Sequence, residues 1–345
     1  MTEFWQDSPE TAAALKKVAA LMDESVRGSD FPLEEAVASI VASNGKMLRP
    51  ALILVGSGFG KRGYEERILP LAAAVELLHV STLIHDDVID EAELRRGVPT
   101  IHSRFGAKEA VLAGDWLFAR CFLLAAESAG PGNAKALARL ITAICAAEIR
   151  QDLDKGSYSP SVRSYLRKIA GKTAALFSLS LHVGATESKA PPPVAERLRR
   201  AGYDIGMAFQ VIDDILDFES SEGTMRKPVG RDVAEGLCTL PLIHALRADE
   251  AGMRALLSRL PRPGRADRAE AGAREEALAR GDAVARDEAV AAILARASEL
   301  GGVEAARRDA ARFTARAQAE IARLPRCEAR EELARVADKL LSRKY

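Results

Sequence analysis

Apolar residues recur along most of this chain at the spacing of helix faces, and the alternating β-branched runs that are typical of strands are nearly absent. Alanine, leucine, glutamate and arginine, which favour helices, dominate the same segments. Glycine and proline clusters mark turns between them, most clearly AGPGN at 129–133 and APPP at 190–193. The pattern predicts helices at 11–27, 51–59, 64–93, 107–128, 134–155, 159–170, 172–183, 194–218, 239–247, 287–299, 301–323 and 328–343.

One segment, residues 261–286, differs in composition from the rest of the chain. It is rich in alanine, arginine, glutamate and glycine and has few large apolar side chains. We interpret it as a mobile insertion or a partly solvated helix. No repeat of 20–50 residues is visible. The 345 residues are 48% hydrophobic, which is enough for one large core. The sequence therefore predicts a single all-α domain over residues 1–345 with this insertion.

Composition narrows the classes of function. The formal net charge is zero, which argues against a general nucleic-acid binder. Four cysteines stand far apart without a CxxC pair, as expected of reduced thiols in a cytoplasmic protein. The first ten residues lack the apolar core of a signal peptide, and no uninterrupted apolar run reaches the roughly 18 residues of a membrane span. We expect a cytoplasmic protein with no transmembrane segment, which leaves peripheral membrane contact open.

An acidic stretch, LIHDDVIDEAELRRG at 83–97, follows an apolar run, LAAAVELL at 71–78, in one predicted helix. Asp86 and Asp90 are one turn apart and share a face, while Asp87 lies about 100° further round. Carboxylates at the end of an apolar helix need counter-charge, and oxygen ligands favour Mg²⁺ or Ca²⁺ over Zn²⁺. The alternative is a solvated acidic helix end held by ion pairs between residues four apart.

A second acidic stretch, GMAFQVIDDILDF at 206–218, repeats this arrangement on another predicted helix. Asp213, Asp214 and Asp217 reproduce the spacing of the first three aspartates. Two such clusters favour one site in which carboxylates face each other across a cavity, since facing carboxylates repel unless cations lie between them. The sequence therefore predicts a site for divalent cations.

Basic residues lie close to both acidic stretches or in polar breaks before apolar helices. Taken singly, each of them is typical of a surface charge. Together with the acidic clusters they suit a site for two polyanions, one bound through metal and the other bound directly by arginine and lysine. These cations are Lys46, Arg49, Arg95, Arg96, Lys172 and Lys227.

Five blocks, in order, resemble the motifs of the trans-isoprenyl diphosphate synthases, the polyprenyl synthetase family, and in particular its long-chain type. A DDxxD motif alone is weak evidence, whereas five blocks in the right order between about residues 40 and 247 are specific. The blocks are GKMLRP (45–50), LIHDDVIDEAELRRG (83–97), the pair Lys172 and Thr173, FQVIDDILD (209–217), and KPVGRD with EGLCTLP (227–241).

This resemblance implies an all-α fold of the isoprenoid synthase type, a single-domain helical bundle around a deep central cavity, usually in a homodimer. It implies three Mg²⁺ ions bound between the aspartate motifs. The implied reaction ionises an allylic diphosphate and adds isopentenyl diphosphate head-to-tail, giving an all-trans polyprenyl diphosphate. Lewis-acid metal and fixed positive charge suit the departing diphosphate, and a dry apolar pocket suits the carbocation.

The resemblance also implies roles for individual residues. Metal binding is implied for Asp86, Asp87, Asp90, Asp213, Asp214 and Asp217. Contact with the allylic diphosphate is implied for Arg95, Lys172, Thr173, Gln210 and Lys227. Binding of isopentenyl diphosphate is implied for Gly45, Lys46, Arg49, His79 and Arg96. The catalytic set comprises Asp86, Asp87, Asp90, Arg95, Lys172, Asp213, Asp214 and Lys227.

Two positions depart from the family pattern. Arg226 precedes Lys227 where the family usually has glycine, and Leu237 stands where the family often has lysine. The second departure removes one contact to diphosphate. Several other cations remain, so we still expect activity.

Two small residues bear on product length. Thr82 and Ser81 lie four and five residues before Asp86, about 6–7.5 Å deeper along the helix. In this family large aromatic side chains at these positions close the pocket and favour short products. The sequence therefore predicts a product longer than C20, of the quinone side-chain type.

Other functions stay open at this stage. The chain could make short C15 or C20 products, as a farnesyl or geranylgeranyl diphosphate synthase does. It could be the catalytic half of a heteromeric synthase. A class I terpene cyclase also ionises an allylic diphosphate, but it has no second substrate, so GKMLRP and the arginines of RRG argue against it.

Overall fold

The computed structural model describes residues 4–28, 31–43, 45–95, 97–159, 161–219, 230–260 and 275–342, with the backbone alone at 275–284. Within these residues helices follow one another, interrupted by a π-helical turn at Ala170–Ala174 and by a hairpin of two short strands. The predicted all-α class is confirmed. The helices are α1 (Pro9–Val26), α2 (Glu34–Ala42), α3 (Leu48–Ser57), α4 (Glu65–Ile89), α5 (Ile101–Phe105), α6 (Ala107–Ser128), α7 (Pro131–Asp154), α8 (Val162–Ile169), α9 (Ala175–Glu187), α10 (Pro192–Glu219), α11 (Arg231–Ala234), α12 (Leu240–Ala248), α13 (Glu250–Leu257), α14 (Glu275–Glu299), α15 (Gly302–Ala322) and α16 (Glu328–Leu341).

Helix α14 begins 12 residues before its predicted start, and α2 and α13 were not predicted. The difference that bears on the first acidic cluster is at the end of α4. The helix stops at Ile89 instead of residue 93, with Asp90 as its cap and Glu91 at a positive φ of 48°. Acidic side chains near a helix C-terminus are repelled by the negative end of the helix dipole. This repulsion favours the early end of α4. Between α4 and α6 the structure has strands β1 (Leu94–Arg95) and β2 (Val98–Pro99), paired antiparallel, and the short helix α5, none of which was predicted.

The chain divides into two compact units. Unit 1 consists of Met1–Arg139, Leu176–Gly202 and Glu320–Val336; unit 2 consists of Leu140–Ala175, Tyr203–Ala319 and Ala337–Tyr345. The expectation of a single domain stays a prediction. Of the predicted insertion at 261–286, residues 261–274 lie outside the described residues, and the rest begins α14.

Helix α4 forms the centre of unit 1. Its side chains from 71 to 78 are all buried, and it packs against α1, α3 and α6. By length and averaged composition α4 could cross a membrane, although the sequence shows no uninterrupted apolar run of that length. Because 67% of its most apolar window is buried inside the protein, its apolar character is accounted for by the core.

Two glycines let α3 and α9 cross closely in unit 1. A Cβ on Gly56 would lie 2.5 Å from the carbonyl oxygen of Leu181, and a Cβ on Gly184 would lie 2.0 Å from that of Ile53. Neither distance is sterically allowed, so the crossing requires glycine at both positions. It anchors α3, whose first turn contains the end of the GKMLRP block, against the core of the unit.

The core of unit 2 is built on α10. Its buried residues Met207, Val211 and Ile215 recur every four positions and pack with apolar side chains of α12 and α14. The intervening positions carry Gln210 and Asp213 on the other side of the helix. The helical period thus separates the apolar face of α10 from the face that carries predicted site residues.

Candidate functional site

Both aspartate clusters lie at the C-terminal ends of long helices, one in each unit. Asp86 and Asp87 are in the last turn of α4 and Asp90 caps it; Asp213 and Asp214 are near the end of α10. Neither helix has a basic residue in its last turn. Negative charge at this end of a helix is destabilising, so each cluster creates a local need for cations.

The three aspartates of the first cluster differ in their exposure to solvent. Asp87 is buried, Asp86 is half-buried and Asp90 is exposed. The buried carboxylate of Asp87 accepts a hydrogen bond of 2.7 Å from Nε of Arg95, which lies on β1. Thr100 fastens the hairpin by donating from its hydroxyl to the carbonyl oxygen of Ala92 at 2.7 Å. The hairpin thereby holds Arg95 over Asp87.

A cavity of about 30 Å³ in unit 1 brings together residues predicted for both substrates. Gly45 and His79, predicted for isopentenyl diphosphate, line it with Asp87 and Arg95. Buried Glu76, which sequence reasoning missed although it lies one turn before His79, lines it too. Its volume holds a water molecule but not a diphosphate group.

Lys46 and Arg49, the other predicted cations of unit 1 that the structure describes, do not line this cavity. Lys46 is exposed, with Nζ 5.4 Å from the ring centroid of Phe4. The guanidinium of Arg49 lies 5.5 Å from the ring centroid of Phe177. Arg96 lies outside the described residues.

His85, which directly precedes the first cluster, packs against helix α6. His85 contacts the carbonyl oxygen of Val111 at 3.2 Å and the carboxylate of Asp115 at 3.4 Å, and it stacks on Phe118. Gly114 makes room for this ring, since a Cβ there would lie 2.2 Å from Nε2 of His85. His85 is therefore held in place by polar and ring contacts with α6.

The two predicted chain-length residues differ in exposure. Ser81 is fully buried against α6, where its hydroxyl donates to the carbonyl oxygen of Gly114 at 2.9 Å. Thr82 is half-buried, and its hydroxyl donates to the carbonyl oxygen of His79 at 2.8 Å. Their influence on product length stays a prediction.

In the second cluster, which lies in unit 2, the first aspartate is again accessible and the second is again buried. Asp213 is exposed and Asp214 is buried. The Asp214 carboxylate accepts hydrogen bonds from the Tyr165 hydroxyl at 2.5 Å and from the Gln210 amide at 3.0 Å. The other end of Gln210 accepts from the Thr173 hydroxyl at 2.7 Å. Burial raises the pKa of Asp214 to about 6.

Tyr165 is a partner of this cluster that sequence reasoning missed. It lies on α8, seven residues before Lys172, a spacing that returns to one face of a regular helix. Burial, followed by the charge of Asp214, raises the pKa of the Tyr165 phenol well above its ordinary value. Its hydroxyl is therefore a fixed donor to Asp214.

Lys172 lies in the π-helical turn Ala170–Ala174, an irregularity that is frequent at functional sites. Its ammonium group pairs with the Glu148 carboxylate of α7 at 2.9 Å. Glu148 was also missed, because an acid within a long helix carries no distinguishing pattern. The pair orients Lys172 while leaving a third of its side chain exposed.

Asp217 is bound by backbone donors. Its carboxylate accepts from the N–H groups of Arg231 and Asp232 at 3.2 and 3.1 Å, which fixes α11 to the end of α10. Asp232, within KPVGRD but given no role from sequence, joins the acidic group: burial, followed by repulsion from Asp214 and Asp217, raises its pKa well above the ordinary value. Lys227 lies outside the described residues.

These observations fit divalent cations. Carboxylates that raise one another's pKa carry uncompensated negative charge, which a bound cation relieves. Among the described residues no three carboxylate, imidazole or thiol groups already converge on one point. Mg²⁺ is commonly held by one or two carboxylates, with water and substrate phosphates completing its shell, so the accessible Asp86, Asp90 and Asp213 suit it.

Comparison with known proteins agrees with this chemistry. Residues 31–274 match the family model described as polyprenyl synthetase. The heptaprenyl diphosphate synthase component 2 of Geobacillus stearothermophilus is 39% identical over 271 residues, which cover 74% of this chain and 84% of that protein. The nonaprenyl diphosphate synthase of Mycobacterium tuberculosis is 32% identical over 334 residues, covering 96% and 92%.

Solved structures extend the likeness to the whole fold. A geranylgeranyl pyrophosphate synthase from Lactobacillus brevis ATCC 367 has a TM-score of 0.86 and 31% identity, covering 99% of both chains. A polyprenyl synthase from Caulobacter crescentus CB15, complexed with calcium and isoprenyl diphosphate, has a TM-score of 0.82 and 30% identity, covering 98% of this chain and 97% of that one.

Proposed function

The chain belongs to the polyprenyl synthetase family, and we propose that it lengthens an allylic diphosphate by head-to-tail condensation with isopentenyl diphosphate. In each cycle the allylic C–O bond breaks, and a C–C bond forms to the terminal alkene carbon of isopentenyl diphosphate. A proton leaves the new chain, and inorganic diphosphate is released with it. The product is an allylic diphosphate five carbons longer, ready for another cycle.

The observation that carries this proposal is the pair of DDxxD helix ends, each with its first acid accessible and its second acid buried. We assign the accessible aspartates to Mg²⁺, with three ions as the family resemblance implies. Bound Mg²⁺ supplies Lewis-acid stabilisation of the departing diphosphate. The calcium and isoprenyl diphosphate in the Caulobacter crescentus polyprenyl synthase support this assignment.

The buried aspartates have a different part in the proposal. Asp87 holds Arg95, and Asp214 is held by Tyr165 and Gln210. We assign them to positioning cations and donors, which the sequence pattern did not distinguish from metal binding. The predicted metal role of Asp217 is weakened by its two backbone donors.

Basic side chains bind the two diphosphate groups. Arg95 and Lys172 now pair with carboxylates, and we expect each to turn to the allylic diphosphate when it binds, joined by Lys227. Isopentenyl diphosphate is assigned to Gly45, Lys46, Arg49, His79 and Arg96.

A long-chain product is the form of the activity that the relatives favour. The names heptaprenyl and nonaprenyl belong to proteins 39% and 32% identical to this chain. The small side chains at positions 81 and 82, Ser81 and Thr82, agree with a long-chain product. A C20 product is the alternative, because a geranylgeranyl pyrophosphate synthase shares the fold equally well.

The direct test of the activity is incorporation of radiolabelled isopentenyl diphosphate into butanol-extractable product. We expect incorporation to require both Mg²⁺ and an allylic starter such as farnesyl diphosphate, and to stop when EDTA is added. Diphosphate release from the allylic substrate alone, with no incorporation, would instead indicate a terpene cyclase.

A second copy of this chain is the partner we propose. Helix α6 presents large apolar side chains to solvent, with Leu112, Phe122 and Leu123 each 43–53% exposed. An exposed apolar stripe of this kind is typical of a protein–protein interface. The name component 2 of the Geobacillus stearothermophilus relative favours a different protein as the alternative partner.

Light scattering coupled to size-exclusion chromatography separates these two partners. We expect the purified chain to be an active dimer and Leu112→Glu to shift it toward monomer. A pure chain that is inactive, and that gains activity only when a second kind of chain is added, would indicate the heteromer.

A cytoplasmic location is proposed from the thiols. The four cysteines are free, and burial raises the pKa of Cys121 to about 12, so this thiol stays protonated and unreactive. Reduced cysteines of this kind are typical of a reducing compartment.

A further inference from the structure

The C-terminal end of the short helix α11 is held by an arginine that lies far away in the sequence. Arg286, the last residue of the predicted insertion, is part of α14 and donates from Nη2 to the carbonyl oxygen of Ala234 at 2.6 Å. Ala234 is the last residue of α11. Carbonyl oxygens at a helix end lack partners within the helix, and a cation there also compensates the negative end of the helix dipole.

The N-terminal end of α11 is held by the second aspartate cluster. The Asp217 carboxylate accepts from the backbone N–H groups of Arg231 and Asp232, and the Asp217 carbonyl oxygen accepts from the N–H group of Gly230 at 3.0 Å. A helix of four residues is too short to be stable by itself. Helix α11 therefore depends on its contacts with α10 at one end and with α14 at the other.

Close packing also ties α11 to α14. Gly230 has a positive φ of 75°, and a Cβ there would lie 2.6 Å from Cγ1 of Val290 and 2.8 Å from Cδ1 of Leu294. Val233 of α11 is fully buried. Arg286, Val290 and Leu294 recur every four residues, so they share the face of α14 that meets α11.

The guanidinium of Arg286 differs from an ordinary surface charge. Its Nε is buried and has no hydrogen-bond partner within the part of the chain that the structure describes. Burial raises the pKa of the Tyr158 phenol, and the charge of Arg286 opposes this rise. Leaving a buried donor without a partner costs free energy, so the bond to Ala234 is made in spite of a cost that an exposed arginine would avoid.

Helix α11 carries Asp232 into the acidic group of the second cluster. Burial, followed by repulsion from neighbouring carboxylates that include Asp214, Asp217 and Asp213, raises the pKa of Asp232 well above its ordinary value. A further carboxylate near Asp213 strengthens the attraction for a cation bound there. The position of α11 therefore determines how much negative charge faces that cation.

We propose that Arg286 is a positioning residue for the metal site of the second cluster, and that it keeps Asp232 in the acidic group by holding the C-terminal end of α11. The inference rests on the proposed function, which assigns Asp213 to Mg²⁺. Residues that orient the surroundings of a metal site typically change its metal affinity about 10–100-fold. The proposal gives a role to the end of the segment 261–286, for which the sequence pattern indicates no chemistry.

Titration of the full-length protein with Mn²⁺, followed by electron paramagnetic resonance of the free ion, tests the proposal without relying on catalysis. The variant is Arg286→Met, which removes the guanidinium but keeps the apolar stem. The matched control is Arg296→Met on the same helix. Arg296 pairs with the carboxylate of Asp249, the N-cap of α13, at 3.0 Å, so the control also loses a contact between helices.

We expect Arg286→Met to weaken one class of Mn²⁺ sites about tenfold, while Arg296→Met binds Mn²⁺ as the wild type does. Arg286→Lys keeps a donor for the Ala234 carbonyl oxygen and should recover most of the affinity. Asp232→Asn should weaken the same class of sites. Adding Arg286→Met to Asp232→Asn should cause little further loss, because Arg286 acts through Asp232.

Unchanged Mn²⁺ binding in Arg286→Met would overturn the proposal, and so would an equal loss in Arg296→Met, which would indicate only general destabilisation. Fully additive losses in the double variant would overturn it too, since Arg286 would then act independently of Asp232. Circular dichroism checks that each variant is folded. A wild-type protein that makes no prenyl product, but whose Arg286→Met variant still shows the specific loss, would contradict the synthase function and not this role of Arg286.

Discussion

At the scale of single residues, the two DDxxD motifs contain acids in two different environments. Asp86 and Asp213 reach solvent, whereas Asp87 and Asp214 are buried and held by donors of the protein. The spacing of the six acids could be read from the sequence. Their division could not, because all are aspartates and the helical period does not tell which face meets a hydrogen-bond donor.

This division predicts different outcomes for neighbouring substitutions. Asp86→Asn should lower kcat about 10²–10³-fold and raise the Mg²⁺ concentration needed for half-maximal rate, because it removes an accessible ligand. Asp87→Asn should leave that Mg²⁺ dependence near wild type. It should instead lower the free energy of unfolding by about 1–3 kcal/mol, since Arg95 loses its charged partner.

Initial rates over a range of Mg²⁺ concentrations, together with urea unfolding, measure both effects. Asp213→Asn serves as the counterpart of Asp86→Asn in the second cluster. Equal shifts of the Mg²⁺ dependence in Asp86→Asn and Asp87→Asn would contradict the assignment of separate roles.

Burial of Asp214 predicts a pH dependence of the metal-free fold. Its pKa is about 6 in the folded protein and about 4 in the unfolded chain. A raised pKa means that protonated Asp214 stabilises the fold at low pH and that this stability is lost as the pH rises through about 6. In EDTA, the Tm of Asp214→Asn relative to wild type should therefore increase between pH 5 and 7.5. Parallel pH profiles in thermal scans would rule this out.

At the scale of elements, the contact of α4 with α6 sets the position of the first cluster. Gly114 admits the ring of His85, and its carbonyl oxygen accepts from Ser81. The sequence predicted both helices but not their contact, because a glycine inside a helical pattern does not indicate which side chain packs against it. It also missed the short hairpin that carries Arg95, since two-residue strands leave no periodic pattern.

Gly114→Ala should destabilise the protein by about 1–3 kcal/mol, because the added methyl group would overlap the His85 ring. Gly132→Ala is the matched control, since nothing lies within 4 Å of the Cβ it would add near the start of α7. Urea unfolding of both variants measures the difference. A Gly114→Ala protein as stable as the control would show that the close approach to His85 is not required.

We expect helix α4, which carries Ser81, to influence product length as well. Ser81→Phe places an aromatic ring five residues before Asp86 and should shorten the product without abolishing turnover. Ser81→Ala, which removes only the hydrogen bond to Gly114, should leave the product length unchanged. Chromatography of the dephosphorylated products measures the product length of both variants. An unchanged length in Ser81→Phe would show that Ser81 does not line the tunnel.

At the scale of the whole molecule, the family could be predicted because its blocks are ordered and rich in charged residues. The agreement extends to relatives that match 96% of the chain. The contact of Tyr165 with Asp214 could not be predicted, since α8 and α10 share no motif. Folding brings together groups that are far apart in sequence, and only the structure reveals which of them touch.

The central claim is that this chain builds long allylic diphosphates from isopentenyl units. The most direct measurement is to incubate the purified protein with farnesyl diphosphate, excess isopentenyl diphosphate and Mg²⁺, and to separate the dephosphorylated products by reversed-phase chromatography. Our account predicts all-trans polyprenols longer than C20. Products that end at C20, or farnesyl diphosphate recovered unchanged, would contradict it.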